Sequence, residues 1–516
     1  MAKELKHGDS LRSMSPESIN APSINGDPGK FGRMFPGLPP LVAADSQLSA
    51  LAAAMQDADP GDVAGDNPNV PSGYTYLGQF IDHDITLDVT PLDVQKADPL
   101  AIKNFRSPAV DLDSLYGDGP SVSPERFARS GSPGFGMLPE MLVGTALASP
   151  DGQGTPIGAL PNDLPRNAVG RALIEDERND ENLLVAQTHL LFLKFHNAVV
   201  ADLRVKRPDL AASNSALFDE ARRIVTWHYQ WIVLFDFVER LTEPGIVNKI
   251  RQQGRRFYRF KETPYMPVEF AAAAYRLGHS MVREAYSHNR VFTAGGAPGV
   301  IVPATLNLLF AFTGKSGMIV GSLANGAQPS PGVPPQAGLP SNWVIDWRRF
   351  YDLGTPTSTP NFLFNRARRV DPFVIPELHN LPGGQGSLPF RNLKRGVLLG
   401  LPSGQDVANA IGVQVLTAAQ LSSGADGAVA QQQALVAATP LWYYILKEAE
   451  QFHQGLRLGP VGSTIIAETF LGMVHGDHES FMWKRGNWQP ELPAQVPGTF
   501  TMADLVRFVN DVNPVN

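Results

Sequence analysis

The spacing of apolar residues along the chain predicts a mainly α-helical protein. Between residues 178 and 205, apolar positions recur at steps of three and four, which places them on one face of a helix. The same periodicity predicts helices at about 46–57, 74–88, 215–250, 267–286, 404–421, 425–456, 460–474 and 501–510. Alternating patterns typical of strands are scarce and short. We therefore expect a helical fold with long irregular connections.

Composition along the chain predicts an N-terminal arm and one large domain. Proline, glycine, aspartate and serine are abundant before residue 75, so residues 1–70 are expected to be largely irregular, apart from one helix. A length of 516 residues allows roughly three domains. However, no internal repeat or clean linker divides residues 71–516, which we expect to form a single domain. A Gly/Pro-rich insertion at 315–345 is predicted to lack regular structure.

Composition also excludes several classes of function. The chain has no cysteine, which excludes disulfides, thiolate-bound haem and iron–sulfur clusters. A formal net charge of −7, without a basic patch interleaved with aromatics, predicts no nucleic-acid partner. No run of about 18 apolar residues predicts a membrane span. Residues 1–10 lack the apolar core of a signal peptide, so we expect a cytoplasmic protein or export by another route. We also expect a monomer.

Two polar clusters have the residue types needed to cleave a peroxide. Gln79 and His83 lie four residues apart, on one face of a predicted helix, and Asp82 and Asp84 flank the histidine on other faces. Arg178 lies in a second cluster. A neutral imidazole can take a proton from one peroxide oxygen and return it to the other, while a guanidinium stabilises the developing charge. Taken alone, each residue also fits an ordinary core or surface position.

A third segment has the features of a haem iron ligand. His279 follows Gly278 and an alanine run at 271–274, and such small side chains let a flat macrocycle approach the backbone. A ligating histidine normally donates its other N–H to an acceptor, for which Asn392 is the candidate. Alone, His279 would be interpreted as a core histidine. His189 and His196, seven residues apart on one helix face, are interpreted as packing histidines.

The loop at 107–117 is rich in oxygen atoms that could bind a hard cation such as Ca²⁺. Ser107, Asp111 and Asp113 alternate along it with backbone carbonyls, and Asp84 could supply a remote carboxylate. The loop does not match the EF-hand pattern. A solvated acidic turn is the alternative interpretation.

Taken together, these motifs resemble those of the animal-type haem peroxidases, the peroxidase–cyclooxygenase superfamily that includes lactoperoxidase, myeloperoxidase and peroxidasin. The matching segments are 78–84, 107–117, 178–181, 276–279 and 392–395, in the order seen in that family. The resemblance extends from about residue 25 to residue 490. It implies a bacterial member with a mainly α fold, a haem deep in the core, hydrogen peroxide as oxidant and a bound calcium ion.

The resemblance also implies a role for each matched position. His83 and Arg178 correspond to the distal catalytic pair, Gln79 to the distal glutamine, His279 to the iron ligand and Asn392 to its hydrogen-bond partner. The remaining implied roles are contacts to the haem propionates (Arg276 and Arg395), ester links to the haem (Asp82 and Glu181) and calcium ligands (Asp84, Ser107, the carbonyl of Ala109, Asp111 and Asp113).

One departure from the family pattern bears on the substrate. Asn182 follows Glu181, where myeloperoxidase has a methionine that forms a sulfonium link to the haem. We therefore expect at most two ester links and weaker oxidising power. Iodide, thiocyanate or bromide should be oxidised before chloride, and small aromatic donors should also react.

Two other classes of function are kept as alternatives. A fatty-acid dioxygenase on the same scaffold needs a tyrosine three residues before the iron ligand, where this chain has Arg276. Tyr275 lies one residue earlier, about 100° further round a helix. A non-enzymatic haem or calcium interaction protein is the second alternative. The complete set of His83, Arg178 and His279 argues against it.

Overall fold

The computed structural model describes residues 31–87, 104, 106, 108–129, 137–150, 156–167, 170–261, 263–293, 303–311, 313, 338–354, 362–381, 386–484 and 488–515. Within these residues the chain is mainly helical, and the predicted fold class is confirmed. The helices of eight or more residues are Asp45–Ala54, Gly73–Ile85, Leu183–Lys206, Asn214–Ile232, Ile246–Gln253, Leu388–Leu398, Gly404–Ile411, Gly424–Gln432, Leu441–His453, Pro460–Gly476 and Met502–Val509.

Shorter helical segments connect them. Those with α geometry are Asp113–Tyr116, Pro208–Ala211, Glu239–Leu241, Val268–Ala271, Leu306–Ala311, Pro376–His379, Ala418–Leu421 and Phe481–Lys484. Tighter 3₁₀ turns lie at Val63–Gly65, Pro124–Arg126, Glu177–Asp180, Ala274–His279, Ser341–Trp343 and Trp347–Arg349, and a π-helix lies at Val233–Val238. The helix predicted at 215–250 is therefore continuous from Asn214 through this π segment to Leu241, and a separate helix begins at Ile246.

The described strands are short and occur as isolated pairs. Phe31–Gly32 pairs with Met266–Pro267 in parallel. The antiparallel pairs join Asp66–Pro71 with Arg366–Arg368, Phe127–Arg129 with Met137–Met141, Gly144–Ala146 with Leu160–Asp163, Ser149–Pro150 with Pro156–Ile157, and Ala285–Tyr286 with Ala304–Thr305. These pairs fasten loops to the helical body.

The helix Leu183–Lys206 lies at the centre of the core and packs against Gly73–Ile85 and Asn214–Ile232. Phe80 of the helix Gly73–Ile85 stacks on Phe192 of the helix Leu183–Lys206, with ring centroids 4.8 Å apart. Among the described helices, Leu183–Lys206 is the one long and apolar enough to cross a membrane, but 83% of its most apolar window is buried within the fold. Its apolar surface is therefore explained by packing on all sides.

The helix predicted at 267–286 is not continuous. Val268–Ala271 is helical, Ala273 leaves the helical region with φ −132° and ψ −76°, and a 3₁₀ turn follows at Ala274–His279. Arg276 Nε donates to the carbonyl of the last helical residue at 2.9 Å, which satisfies an acceptor released by the break. Tertiary contacts thus outweigh the high helix propensity of the alanines.

The described part of the predicted arm is packed into the body rather than laid loosely over it. Met34 and Phe35 are buried. The carboxylate of Glu269, itself fully buried, accepts their backbone N–H groups at 2.9 and 3.0 Å. These bonds anchor the arm beneath the segment that leads to the predicted iron ligand. The predicted domain boundary at residue 70 stays a prediction, and most of the predicted insertion lies outside the described residues.

Candidate active site

The predicted catalytic histidine, His83, lies near the end of the helix Gly73–Ile85 and is buried. Its Nδ1 is 2.9 Å from Oδ1 of Asn179, so the imidazole donates a hydrogen bond there. Its Nε2 makes no hydrogen bond within the described part of the chain. Burial, and then the Arg178 guanidinium, lower the pKa of His83, so that the ring is neutral near pH 7. A neutral imidazole with a lone pair on Nε2 can accept a proton.

Arg178 is held rigidly beside this histidine by a carboxylate. Asp176 caps the 3₁₀ turn and accepts Nε and Nη2 of Arg178 at 2.9 and 2.7 Å. Nη2 also contacts the carbonyls of His83 and Thr86, at 2.9 and 2.7 Å. Burial alone would raise the pKa of Asp176, but the guanidiniums of Arg178 and Arg106 hold that pKa far below its usual range. The ion pair therefore persists at any working pH, and it fixes the plane of the Arg178 guanidinium.

Gln79 lies one turn before His83 on the same helix, and its carboxamide is held at both ends. Its Nε2 donates to the Glu181 carboxylate, and its Oε1 accepts a bond from Asn182 Nδ2 at 2.9 Å. Asn182 also caps the central helix, because its Oδ1 accepts the Val185 N–H at 2.9 Å. Glu181 and Asn182 thus meet at Gln79 and define its orientation.

His279, the predicted iron ligand, ends the 3₁₀ turn on the other side of the fold. Its Nδ1 lies 2.8 Å from Nδ2 of Asn392. A carboxamide turned by 180° presents Oδ1 at the same place, and His279 Nδ1–H then donates and leaves Nε2 for a metal. Nε2 has no hydrogen bond to any described residue. Burial, and then Arg276, lower the pKa of His279 to about 3.

A cleft joins these two sides. Its cavity volume is about 170 Å³, within a wider space that is open to solvent. Its walls are formed by Asp82, Thr86 and Arg178 from the distal side, Val268, Ala271, Ala272 and Arg276 from the segment before His279, and Phe31, Arg395 and Leu399. No described atom lies within 4 Å of where a Cβ would stand on Gly278. The small Ala271 and Ala272 and the open space at Gly278 fit a flat macrocycle. The guanidiniums of Arg276 and Arg395 fit its carboxylate substituents.

The predicted calcium ligands lie beside the distal helix. Burial raises the pKa of Asp84 to about 6 and of Asp113 to about 7. The pKa of Asp111 is raised by burial first, and further by the charges of Asp84, Asp113 and Asp477. The charges of these carboxylates therefore disfavour one another's ionisation, and a divalent cation would relieve that repulsion.

Other contacts compete for the same carboxylates. Asp84 accepts the N–H groups of Leu112 and Ser114, each at 3.2 Å. Asp113 pairs with Arg106 at 2.6 Å, which joins this loop to Asp176. Among the described residues no three metal-binding side chains are grouped as a metal site. Ser107 lies outside the described residues, and Ala109 is half-buried. Asp84 also accepts the hydroxyls of Ser114 and Tyr229, at 2.9 and 3.2 Å, so a cation would have to compete with hydrogen bonds at Asp84 and with an ion pair at Asp113.

The structure adds two residues that the sequence analysis missed. Asn179 contacts His83 through Oδ1, and its Nδ2 lies 3.1 Å from Nδ1 of His189. His189 packs against Phe80, as the sequence predicted for a core histidine, and it has in addition a contact with Asn179 that the sequence did not predict. His196 fits that interpretation better, since it bonds Tyr116 and the carbonyl of Pro139 outside the site.

Comparison with known proteins points to one family. Residues 98–297 match the family model described as animal haem peroxidase. A peroxidase-like protein of Margaritifera margaritifera is 31% identical over 127 residues, 24% of this chain and 15% of that protein. The chorion peroxidase of Drosophila melanogaster is 29% identical over 148 residues, 27% of this chain and 18% of that protein. The chain thus spans less than a fifth of the length of either relative.

Solved structures extend the similarity to the whole chain. Peroxidase A from Dictyostelium discoideum has a TM-score of 0.61 at 17% identity, over 99% of this chain and 98% of that one. The fatty acid alpha-dioxygenase of Oryza sativa has a TM-score of 0.58 at 13% identity, over 97% and 81%. The family match includes Arg178 and His279 but not His83 or Asn392. Residues 98–297 therefore have the sequence pattern of the animal haem peroxidase family, and the chain has the fold of a mainly α-helical haem peroxidase-like domain.

Proposed function

We propose that this protein is a haem peroxidase that uses hydrogen peroxide to oxidise halides, thiocyanate or small aromatic donors. One observation carries the proposal: a single cleft is bordered by the segments of His83 and Arg178 on one side and of His279 on the other. The first two supply proton transfer and charge stabilisation, and the third supplies a metal ligand. The animal haem peroxidase match over residues 98–297 supports this function.

Named residues would hold the haem. His279 would bind iron through Nε2, with the Asn392 carboxamide accepting the Nδ1 proton. Arg276 and Arg395 would pair with the propionate carboxylates, since both line the cleft. The bound haem would supply the redox chemistry of peroxide reduction.

Proton transfer is the task of the distal residues. Nε2 of His83 is positioned as a base, because Nδ1 is occupied by Asn179. It would accept a proton from one oxygen of hydrogen peroxide and return it to the other oxygen, which would leave as water. Arg178 stabilises the charge that develops between the two oxygens, through Nη1, the one guanidinium nitrogen with no hydrogen bond within the described residues.

The two carboxylates proposed to form ester links differ in their surroundings. Asp82 lines the cleft and accepts only the Thr86 hydroxyl, at 3.1 Å, among the described side chains. Glu181 is bound to the Gln79 amide. An ester at Glu181 therefore requires this bond to open, whereas an ester at Asp82 does not. We propose Asp82 as the more readily attached position.

The proposed preference for easily oxidised anions rests on Asn182. Its side chain bonds Gln79 and caps a helix, so no sulfur is available there to withdraw electrons from the haem. Iodide and thiocyanate should react fastest, bromide more slowly and chloride least.

Calcium is the second proposed cofactor. Asp84 and Asp111 would bind it, with Asp113, the carbonyl of Ala109 and Ser107 as further ligands from the resemblance. Because Asp84 adjoins His83 in the chain, the ion would help to hold the distal helix in place.

A fatty-acid dioxygenase is the rival function, since such enzymes share this fold. It requires a tyrosine that faces the cleft. Tyr275 instead donates to the Gly78 carbonyl at 3.0 Å and stacks on Phe270, with ring centroids 4.7 Å apart. Its ring is buried, and its hydroxyl is already bonded to the backbone. These contacts favour the peroxidase.

Initial rates with the haem-loaded protein test this proposal. At fixed hydrogen peroxide, we expect iodide and thiocyanate to be oxidised faster than bromide, and bromide faster than chloride. Equal or faster chloride oxidation would contradict the substrate proposal. Oxygen consumption with an unsaturated fatty acid, in the absence of peroxide, would instead support the dioxygenase. If the protein binds no haem and shows neither activity, the result would support the non-enzymatic interaction protein.

A further inference from the structure

Three buried side chains form a hydrogen-bonded chain behind the distal histidine. His83 Nδ1 is 2.9 Å from Asn179 Oδ1, and Asn179 Nδ2 is 3.1 Å from His189 Nδ1. Asn179 and His189 are completely buried, and His83 is 5% exposed. Asn179 directly follows Arg178 in the same 3₁₀ turn, while His189 belongs to the central helix. One short turn thus supplies both the charge-stabilising arginine and the partner of the base.

The chemistry of these groups fixes where the protons lie. In the orientation that the structure shows, Asn179 turns its Oδ1 toward His83; because a carboxamide oxygen only accepts, His83 carries its proton on Nδ1 in this arrangement. A carboxamide nitrogen only donates, so His189 must present a lone pair at Nδ1 and carry its proton on Nε2. His189 Nε2 has no hydrogen bond to any described residue. If the amide of Asn179 turned by 180°, both histidines would have to exchange tautomers together.

We propose that Asn179 and His189 are positioning residues that hold His83 in the Nδ1–H tautomer. In this tautomer the Nε2 lone pair is free to accept a proton, whereas the other tautomer would present a donor. Arg178, Asp176, Glu181 and Asp82 also surround His83, but none of them bonds Nδ1. Only the consequence for peroxide rests on the proposed function; the tautomer itself does not.

Nitrogen NMR of protein labelled with ¹⁵N-histidine tests the assignment directly. Any haem present is kept in the diamagnetic ferrous carbon monoxide complex. We expect a protonated Nδ1 and an unprotonated Nε2 for His83, and the opposite pattern for His189. Resonances are assigned with the variants His83→Gln and His189→Gln. A His83 that carries its proton on Nε2 in the wild-type protein would overturn the proposal.

Two substitutions separate positioning from a structural role. Asn179→Ala removes the acceptor, so His83 should shift to the Nε2–H tautomer. Asn179→Asp supplies an oxygen to both neighbours, so His83 should keep Nδ1–H while His189 switches to Nδ1–H. If His83 stays Nδ1–H in Asn179→Ala, Asn179 does not set the tautomer.

The kinetic consequence is measured as the rate of reaction with hydrogen peroxide. Asn179→Ala should slow it by about 10²-fold, the lower end of what a general base contributes, and Asn179→Asp should recover most of that loss. Asn289→Ala is the matched control, because Asn289 is equally buried and donates to two carbonyls, of Asn342 and Val344, outside the cleft. A protein that binds no haem but shows the expected tautomers would refute the peroxidase function and leave the positioning role intact. An equal loss in the control would refute the positioning role.

Discussion

The distal and proximal sides of the cleft use the same pair of residues in different surroundings. His83 and His279 each bond an asparagine carboxamide through Nδ1, at 2.9 and 2.8 Å, and each leaves Nε2 without a hydrogen bond to a described residue. The distal amide, Asn179, also contacts His189, so it can turn only if both histidines exchange tautomers together. The proximal amide, Asn392, has no such second partner among the described side chains, so it can present either its oxygen or its nitrogen.

Charge distinguishes the two sides further. The distal histidine lies beside Arg178, which is paired with Asp176 and through it with Arg106. The proximal histidine has one cation, Arg276, as the main charged influence on its pKa. An imidazole therefore acquires its role from the groups that surround it. Fixed charges and a fixed tautomer suit proton transfer, while a neutral partner and open space suit binding of a metal.

Removal of the proximal histidine should have the largest effect. His279→Ala takes away the only proposed iron ligand, so we expect haem binding to be lost and to return when imidazole is added to fill the cavity. The absorbance of bound haem per protein measures this. His288→Ala is the control, because His288 is a fully buried histidine outside the cleft and neither of its ring nitrogens has a partner among the described residues. Undiminished haem content in His279→Ala would place the ligand elsewhere.

Removal of the distal guanidinium should slow the reaction but spare haem binding. We expect Arg178→Leu to reduce the rate with peroxide by about 10²–10³-fold, as for other groups that stabilise developing charge. Arg348→Leu is a matched control: Arg348 also pairs through Nε and Nη2 with an aspartate two residues earlier, Asp346, which also caps a 3₁₀ turn. Equal losses in both variants would mean that Arg178 is only structural.

The proximal amide should affect haem affinity more than proton transfer. Asn392→Leu removes the acceptor for Nδ1–H, and partners of this kind typically contribute 10–100-fold to metal affinity. We therefore expect haem to dissociate about 10-fold faster or more, in a competition experiment with a haem-scavenging protein. The early rate with peroxide, per haem bound, should change little. A large loss of that rate with unchanged haem retention would erase the proposed contrast between the two asparagines.

A substitution in the acidic loop at 107–117 should affect only the distal side, and we expect its effect on the rate with peroxide to be the smallest of these. In Asp111→Ala, calcium content measured by elemental analysis should fall, and the rate with peroxide should fall several-fold because the distal helix is less firmly held. Haem content should stay unchanged. Full activity together with full calcium content would show that the calcium site is misassigned.

The sequence predicted the regular parts of this arrangement well. The helix expected at 74–88 is observed at Gly73–Ile85, and the one expected at 178–205 is observed at Leu183–Lys206. Both have strong apolar periodicity, which packing against the core then preserves. The segment at 267–286 was predicted wrongly as one helix: its backbone leaves the helical region at Ala273, and Arg276 satisfies a carbonyl that the break releases, which helix propensity does not describe.

The candidate site was predicted only in part. The sequence motifs identified His83, Arg178 and His279, and the structure places the segments that carry these residues around one cleft. Asn179 was missed although it adjoins Arg178, because an asparagine in a turn has many uses and only the fold shows that it faces His83. The contact of His189 with Asn179 was missed for the same reason, since the two residues lie ten positions apart across a turn.

The most direct test of the central claim is an absorption spectrum of the haem-loaded protein and of His83→Leu, recorded before and after one equivalent of hydrogen peroxide. We expect both proteins to bind haem. Only the wild-type spectrum should change within the first seconds and then return on addition of iodide. Equally fast changes in both proteins, or no haem binding by the wild-type protein, would contradict the assignment of this cleft as a peroxidase site.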